Sequence, residues 1–177
     1  LYLGRLAEKK GIDHLIRAAP LLLKEFSHLK IVIAGPDCGM LWKLKKLARE
    51  LRVEKNTIFT GPLSEKDKYA AIASSEALIL PSSFEAQGLV LLEAQALGTP
   101  VIATRQGGIP YFIKDNENGI LIEYGKPIQI AEAAKKILRD KSLARRLRET
   151  GKSIAKEFTW DRVSERILSI YEDTLAS

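Results

Sequence analysis

The chain has 177 residues, of which 46% are hydrophobic and 28% charged, and its formal net charge is +6. This is the composition of an ordinary globular protein, and the length suits one domain with a substantial core. No apolar run approaches the roughly 20 residues that span a bilayer, and the single cysteine, Cys38, excludes an internal disulfide. The lone cysteine and the lack of a signal-peptide pattern favour a cytoplasmic location.

The chain opens on an apolar strand, residues 1–3, and continues into the loop G-R-L-A-E-K-K-G. The strand begins without a leading turn, so we expect it to be truncated at a fragment boundary. Open parallel sheets bind ligands where their strands end, and this loop brings Arg5 and Lys10 to such an end. Facing a helix amino terminus, the two cations would hold a diphosphate from both sides. The alternative is a pair of ordinary surface cations.

Strands and helices then alternate along the chain. Further strands are predicted at 30–34, 57–60, 77–80, 101–103 and 120–122. Helices are predicted at 13–26, 40–51, from 65 onward, and at 89–97, 109–113, 128–139, 143–158 and 160–175. This order predicts an α/β fold, a doubly wound, Rossmann-like domain of about six parallel strands. Asp13 is expected to cap the first helix and Ser64 the third, while Trp160 and Tyr171 are expected to be core or interface anchors.

The most informative unit is the fourth strand with the polar loop and the nearly all-apolar helix that follow it. Gly88 stands where the loop becomes the helix, and a residue without Cβ lets a ligand approach the backbone. The free amides of Gly88, Leu89 and Val90 would form an anion site at the positive helix end. Glu93 lies inside this apolar helix, so we expect it to have a partner near that site. Glu85 precedes the same helix start by a few residues.

The segment E-A-Q-G-L-V-L-L-E, which runs from Glu85 to Glu93, resembles the E-x7-E motif of the retaining GT-B glycosyltransferases of family 4. The following A-L-G-T-P-V-I-A-T-R-Q-G-G-I-P is similar to the segment after that motif. The resemblance implies that Glu85 faces the hydroxyls of the donor sugar and that Glu93 holds the ribose of the nucleotide. It also implies that Arg5 and Lys10 contact the donor diphosphate. Without the surrounding strand and glycines, two glutamates at this spacing would more simply be solvated side chains.

The resemblance extends along practically the whole chain, with one departure. It places Leu63 at the loop that reaches the nucleotide base, and it favours Lys10 over Lys9 because Lys10 directly precedes a glycine. Tyr111 stands where family members often have a glutamate, which leaves any acceptor-side function of that position open. No D-x-D pair occurs in the sequence, so neither a metal site nor another cofactor is predicted.

The resemblance implies that the chain is the C-terminal, donor-binding half of a GT-B enzyme whose N-terminal acceptor domain is absent. The predicted function is to bind the nucleotide-diphosphate sugar of a retaining hexosyltransferase with an unknown acceptor; the isolated domain would be largely inactive. Glu85, Arg5 and Lys10 are the predicted catalytic residues. The partners are the nucleotide sugar and the N-terminal domain, without nucleic acid, and any membrane contact is left to the full-length enzyme. The alternative is a non-catalytic α/β module that binds anionic partners through its basic helices.

Overall fold

A computed structural model describes residues 1–175. It contains six short strands: β1 (Tyr2–Leu3), β2 (Ile31–Ala34), β3 (Thr57–Gly61), β4 (Leu78–Leu80), β5 (Val101–Thr104) and β6 (Ile120–Ile122). The helices are α1 (Ile12–Leu23), α2 (Leu41–Glu50), α3 (Glu65–Ala73), α4 (Leu89–Ala96), α5 (Ile109–Phe112), α6 (Pro127–Arg139), α7 (Lys141–Lys156) and α8 (Trp160–Leu175). Two 3-10 turns, Glu8–Lys10 and Glu54–Asn56, precede α1 and β3. Each predicted element is present, with ends shifted by a few residues.

All strand pairs are parallel. They form two three-stranded sheets, in the orders β1-β2-β3 and β4-β5-β6. Leu1 joins the two sheets, since its amino group donates to the Ala77 carbonyl (2.9 Å) and its carbonyl accepts from the Ile79 amide (2.8 Å). The spatial order is therefore β3-β2-β1-β4-β5-β6, and the chain changes direction across the sheet between β1 and β4. This confirms the doubly wound parallel fold, in which ligands bind at that change of direction.

The core consists of the sheet and the apolar stripes of its helices. Apart from the edge strand β3, which is mostly not buried, the strands are short apolar runs that are mostly buried on both faces, as expected for a parallel sheet covered by helices. Helix α1 packs against α6 and α2, while α4 packs against α7. Because the core fixes the strands and the first turns of these helices, the loops at the carboxyl ends of the strands are held in defined positions.

Two capping predictions had different outcomes. The Ser64 hydroxyl accepts the Asp67 amide (3.1 Å) and donates to the Asp67 carboxylate (2.6 Å), which confirms the cap of α3. The Asp13 prediction was wrong, because Gly11 is the N-cap of α1 and Asp13 lies in the first turn. Asp13 instead contacts His14 and Arg17 through its carboxylate.

Helix α8 differs from the other long helices because none of its residues is buried. Trp160 is 85% exposed and Tyr171 is exposed too, so neither is a core anchor, and the interface half of that expectation stays a prediction. The helix nevertheless carries an apolar set that a solvated helix does not need: Trp160, Ile167, Leu168, Ile170, Tyr171 and Leu175. No helix within residues 1–175 is both long and apolar enough to cross a membrane.

Candidate functional site

Two loops meet at the carboxyl edge of the sheet, where the chain changes direction. One follows β1 and the other follows β4. The Ser83 amide donates to the Lys9 carbonyl (2.8 Å), and the Ser83 hydroxyl donates to the same oxygen (3.1 Å). These bonds join residues 74 positions apart in sequence. They place the basic loop beside the segment that leads into α4.

The side chain of Lys10 turns into this junction. Its ammonium lies 2.6 Å from Oε1 of Glu85, and the two side chains are only 15% and 13% exposed. The Ser82 hydroxyl donates to the same carboxylate oxygen at 2.8 Å, while the Ser82 carbonyl accepts from the Thr104 hydroxyl at 2.5 Å. The Glu85 carboxylate is therefore held by Lys10 and Ser82, Thr104 of β5 in turn holds Ser82, and the charge of Glu85 is balanced by that of Lys10.

Helix α4 begins at Gly88, as the sequence predicted, but for a different physical reason. Gly88 has φ +66°, a left-handed conformation that L residues with a side chain adopt at a cost. An added Cβ would meet the side chains of Leu80 and Leu91 at 3.3–3.4 Å, so this position faces the protein interior. The first-turn amides of Leu89 and Val90 have no intrahelical acceptor, and no side chain caps them. The helix end can thus bind an anion through its amides.

A hydrogen bond fixes the backbone of Arg5, whereas its side chain has no acidic partner among the described residues. The Tyr2 hydroxyl donates to the Arg5 carbonyl at 2.9 Å. Burial raises the pKa of Tyr2, and the nearby Glu85 charge adds to this, so the phenol remains a hydrogen-bond donor. Within residues 1–175 no acid lies within ion-pair distance of the exposed Arg5 guanidinium. A cation without an acidic partner in this loop suits an anionic ligand.

A cleft of about 410 Å³ opens between the two halves of the sheet. Four of the eight predicted site residues line it, namely Arg5, Leu63, Val90 and Glu93. The remaining lining residues are Leu3, Gly4, Ala34, Gly35, Pro36, Pro62 and Lys68. Lys10 and Glu85 pair beside this cleft rather than in its wall, and the Leu89 side chain is exposed. The cleft combines an apolar wall with two cations and one carboxylate.

Glu93 has the partner that its position in an apolar helix led us to expect. Lys68 of α3 donates to Oε1 of Glu93 at 2.9 Å. Glu93 is one-third exposed rather than fully buried, because its side chain borders the cleft. The polar residue that is buried in α4 is Gln95, whose amide nitrogen donates to the Asn118 carbonyl at 2.8 Å.

Lys68 and Ser82 are the site residues that the sequence analysis missed. Lys68 lies one turn before Ile72, the buried residue of α3, so helical spacing places it on the inward face. That spacing was the available signal for Lys68. Ser82 had no such signal, since its contact with Glu85 depends on the conformation of the loop. Tyr111, the one departure from the resemblance, is strongly exposed.

A second groove, of about 440 Å³, lies between α1 and α2. The exposed Trp42 borders it, with the Lys43 ammonium 5.7 Å from the ring centroid. Its charged lining residues are of both signs: Glu8, Asp13 and Glu50 against Arg17, Lys43 and Lys46. The charges that line this groove therefore cancel, and the alternative of anionic partners bound by the basic helices stays a prediction. Across residues 1–175, no three His, Cys, Asp or Glu side chains are grouped as metal ligands would be.

The sequence of this chain is similar to a known protein family and to several of its members. The model of the family described as "Glycosyl transferases group 1" matches residues 1–154. D-inositol 3-phosphate glycosyltransferase of Corynebacterium jeikeium is 34% identical over 178 residues, a match that covers 97% of this chain and 42% of that protein. The chain therefore spans about two-fifths of the length of the curated relatives it matches.

Solved structures agree on the fold. Anabaena Alr3699/HepE, crystallised with UDP and with UDP-glucose, superposes with TM-scores of 0.88 and 0.87 at 21% and 22% identity. These matches cover 97% of this chain and 48% of that one. The C-terminal domain of a group 1 family glycosyl transferase from Francisella tularensis gives a TM-score of 0.80 at 27% identity. That match covers 89% of this chain and 83% of the Francisella domain.

Proposed function

This chain belongs to the group 1 glycosyltransferase family, and we propose that it binds the nucleotide-diphosphate sugar of a retaining hexosyltransferase. The observation that carries the proposal is the cleft at the change of direction in the sheet. There Arg5 and the first turn of α4 border one cavity, with Glu93 in its wall. A diphosphate next to a helix amino terminus and an arginine is a recurrent form of anion recognition.

The diphosphate half of the site would consist of Arg5, Lys10 and the amides of Gly88, Leu89 and Val90. As the sugar–phosphate bond breaks, negative charge develops on the leaving diphosphate, and these donors would stabilise it. Removal of one such preorganised donor costs about 2.7–4 kcal/mol of barrier in well-studied enzymes. Lys10 is the donor nearest the sugar side, because its ammonium already contacts Glu85.

The remaining residues would bind the nucleoside on one side of the diphosphate and the sugar on the other. Glu93 would accept hydrogen bonds from the ribose hydroxyls, and the backbone around Leu63 would border the base. Glu85, with Lys10 and Ser82 fixing its carboxylate, would face the hydroxyls of the sugar. Support comes from the shared cleft for Leu63 and Glu93, and from the family resemblance of the two-glutamate motif.

The rest of the enzyme would complete the cleft. Because the chain spans about two-fifths of its curated relatives, we propose that an N-terminal domain supplies the acceptor site. The exposed apolar set of α8 would pack against that domain, since none of the described residues of this helix is buried. By itself the chain would bind donor and turn over little or none.

Titration calorimetry of the 177-residue chain with UDP, GDP, ADP and their glucose conjugates tests the proposal. We expect one saturable site, with affinity lowered about tenfold in Glu93→Gln because a hydrogen bond to a charged group is lost. Glu132→Gln is the matched control, since it makes the same change of charge on the exposed surface of α6. Binding that ignores Glu93 and collapses steeply with salt would instead support the anionic-partner alternative.

A further inference from the structure

Lys68 is placed at the cleft by two features of α3. The Ser64 cap fixes where the helix begins, and Ile72, one turn after Lys68, is fully buried. Lys68 therefore points inward from the same helix face. Its ammonium reaches Oε1 of Glu93 across 25 residues of sequence, and it also lies 4.4 Å from the Tyr69 ring centroid. The lysine thus connects the third and fourth helices at the edge of the cleft.

The Lys68–Glu93 ion pair favours the charged form of Lys68 although both side chains are partly exposed. Burial lowers the pKa of Lys68, but its hydrogen bond to Glu93, the Glu93 charge and its interaction with Tyr69 together outweigh this effect, so the net pKa is raised. Within the described residues Glu93 has no other ion-pair partner. Without Lys68, its carboxylate would be free to take other rotamers and would face the cleft as an unbalanced charge.

The charges around the cleft show why this matters for an anionic ligand. Arg5, Lys10 and Lys68 are cations, whereas Glu85 and Glu93 are anions, so the five side chains sum to +1. Removal of Lys68 would bring this sum to zero. A carboxylate that binds the ribose hydroxyls lies close to the diphosphate. The two negative groups repel each other unless a cation offsets the charge of the carboxylate.

We propose that Lys68 is a positioning residue for Glu93: it holds the carboxylate toward the ribose hydroxyls and offsets its charge beside the diphosphate. This inference rests on the proposed function, because it assumes that Glu93 binds the ribose. In this arrangement Lys68 acts through Glu93.

The test compares nucleotides that have ribose hydroxyls with nucleotides that lack them. UDP, GDP and ADP and their 2′,3′-dideoxy counterparts are titrated into the chain by calorimetry, and the base that binds the unaltered chain most tightly is used. Loss of both hydroxyls should weaken binding to the unaltered chain about tenfold or more. In Lys68→Met the same loss should weaken binding only about threefold or less, because Glu93 is no longer aimed at the hydroxyls.

Three variants separate positioning from general destabilisation. Lys68→Arg, which keeps a cation near Glu93, should retain most of the hydroxyl discrimination. Lys66→Met removes an exposed charge from the same helix and should leave the discrimination unchanged. In Glu93→Gln, the added Lys68→Met change should reduce the discrimination no further, because Lys68 acts only through Glu93. If Lys68→Met does not fold by circular dichroism, Lys68→Gln serves for the same measurement.

The outcomes distinguish this inference from the proposed function. If Lys68→Met weakens the natural and dideoxy nucleotides equally, Lys68 does not position Glu93 and the inference is wrong, while the proposed function stands. If no nucleotide binds the unaltered chain, the proposed function fails and the inference fails with it. If Glu93→Gln keeps full hydroxyl discrimination, Glu93 does not bind the ribose and the inference is wrong, while nucleotide binding stands.

Discussion

Glu85 and Glu93 lie on either side of the start of α4, yet the protein holds them differently. Glu85 is nearly buried and has two partners, Lys10 and Ser82, in a junction of loops. Glu93 is one-third exposed and depends on Lys68 alone among the described residues. The fold therefore preorganises the Glu85 carboxylate, whereas the position of the Glu93 carboxylate depends on a single ion pair.

The largest expected effect comes from the backbone that supports the Glu85 region. Gly107 has φ +58°, and a Cβ there would lie 2.0 Å from the Glu85 carbonyl oxygen. Gly107→Ala should lower the free energy of unfolding by about 3 kcal/mol, because conformational strain adds to a clash with rigid backbone.

Gly61→Ala is the matched control for that substitution. Gly61 also has a positive φ, +72°, but nothing lies within 4 Å of the Cβ position. It should cost only about 1 kcal/mol, the price of the backbone conformation alone. Urea denaturation measures both variants, and equal losses would show that the loop moves to accommodate the side chain.

The two ion pairs should differ next. Lys10→Met removes the hydrogen bond from a cation to the nearly buried Glu85 and should cost about 2 kcal/mol of unfolding free energy. Lys68→Met leaves a carboxylate that water can reach and should cost about 0.5 kcal/mol. Urea denaturation at neutral pH compares the two variants directly. A larger loss of unfolding free energy in Lys68→Met than in Lys10→Met would show that Glu93, not Glu85, depends more strongly on its lysine.

A smaller effect is expected at the hydroxyl that completes the Glu85 region. Ser82 is fully buried and donates to Glu85 at 2.8 Å, so Ser82→Ala should lower the unfolding free energy by about 1 kcal/mol. Ser153→Ala, at an exposed position of α7, provides the control and should change stability little. Thermal unfolding would compare the two variants; no difference between them would mean that Lys10 alone fixes Glu85.

Added salt should have the smallest effect on the free energy of unfolding, and it should affect the two ion pairs differently. Raising the ionic strength from about 0.01 M to about 1 M shortens the screening length from about 30 Å to about 3 Å. The stability difference between the unaltered chain and Lys68→Met should then fall toward zero, because this pair is partly solvated. The difference for Lys10→Met should persist. Chemical denaturation with urea at both salt concentrations reports the two trends.

The sequence predicted local features of the site better than contacts between distant residues. The alternation of apolar strands and helices was sufficient to predict the parallel sheet, and the Ser64–Asp67 pair correctly located the start of α3. Helical burial also led to the expectation that Glu93 has a partner. It did not identify Lys68, because that lysine is 25 residues away and reaches Glu93 only when α3 and α4 pack side by side.

Other details were decided by tertiary structure alone. Gly88 was interpreted as room for a ligand, but its absent Cβ faces Leu80 and Leu91. Trp160 and Tyr171 suggested core or interface anchors, yet no described residue of α8 is buried, so neither belongs to the core. Local sequence determined which elements form, because periodicity and capping act over a few residues. Which side chains share a charge or a cleft depends on loops that meet from distant parts of the chain, as Lys10 and Glu85 do across 75 residues.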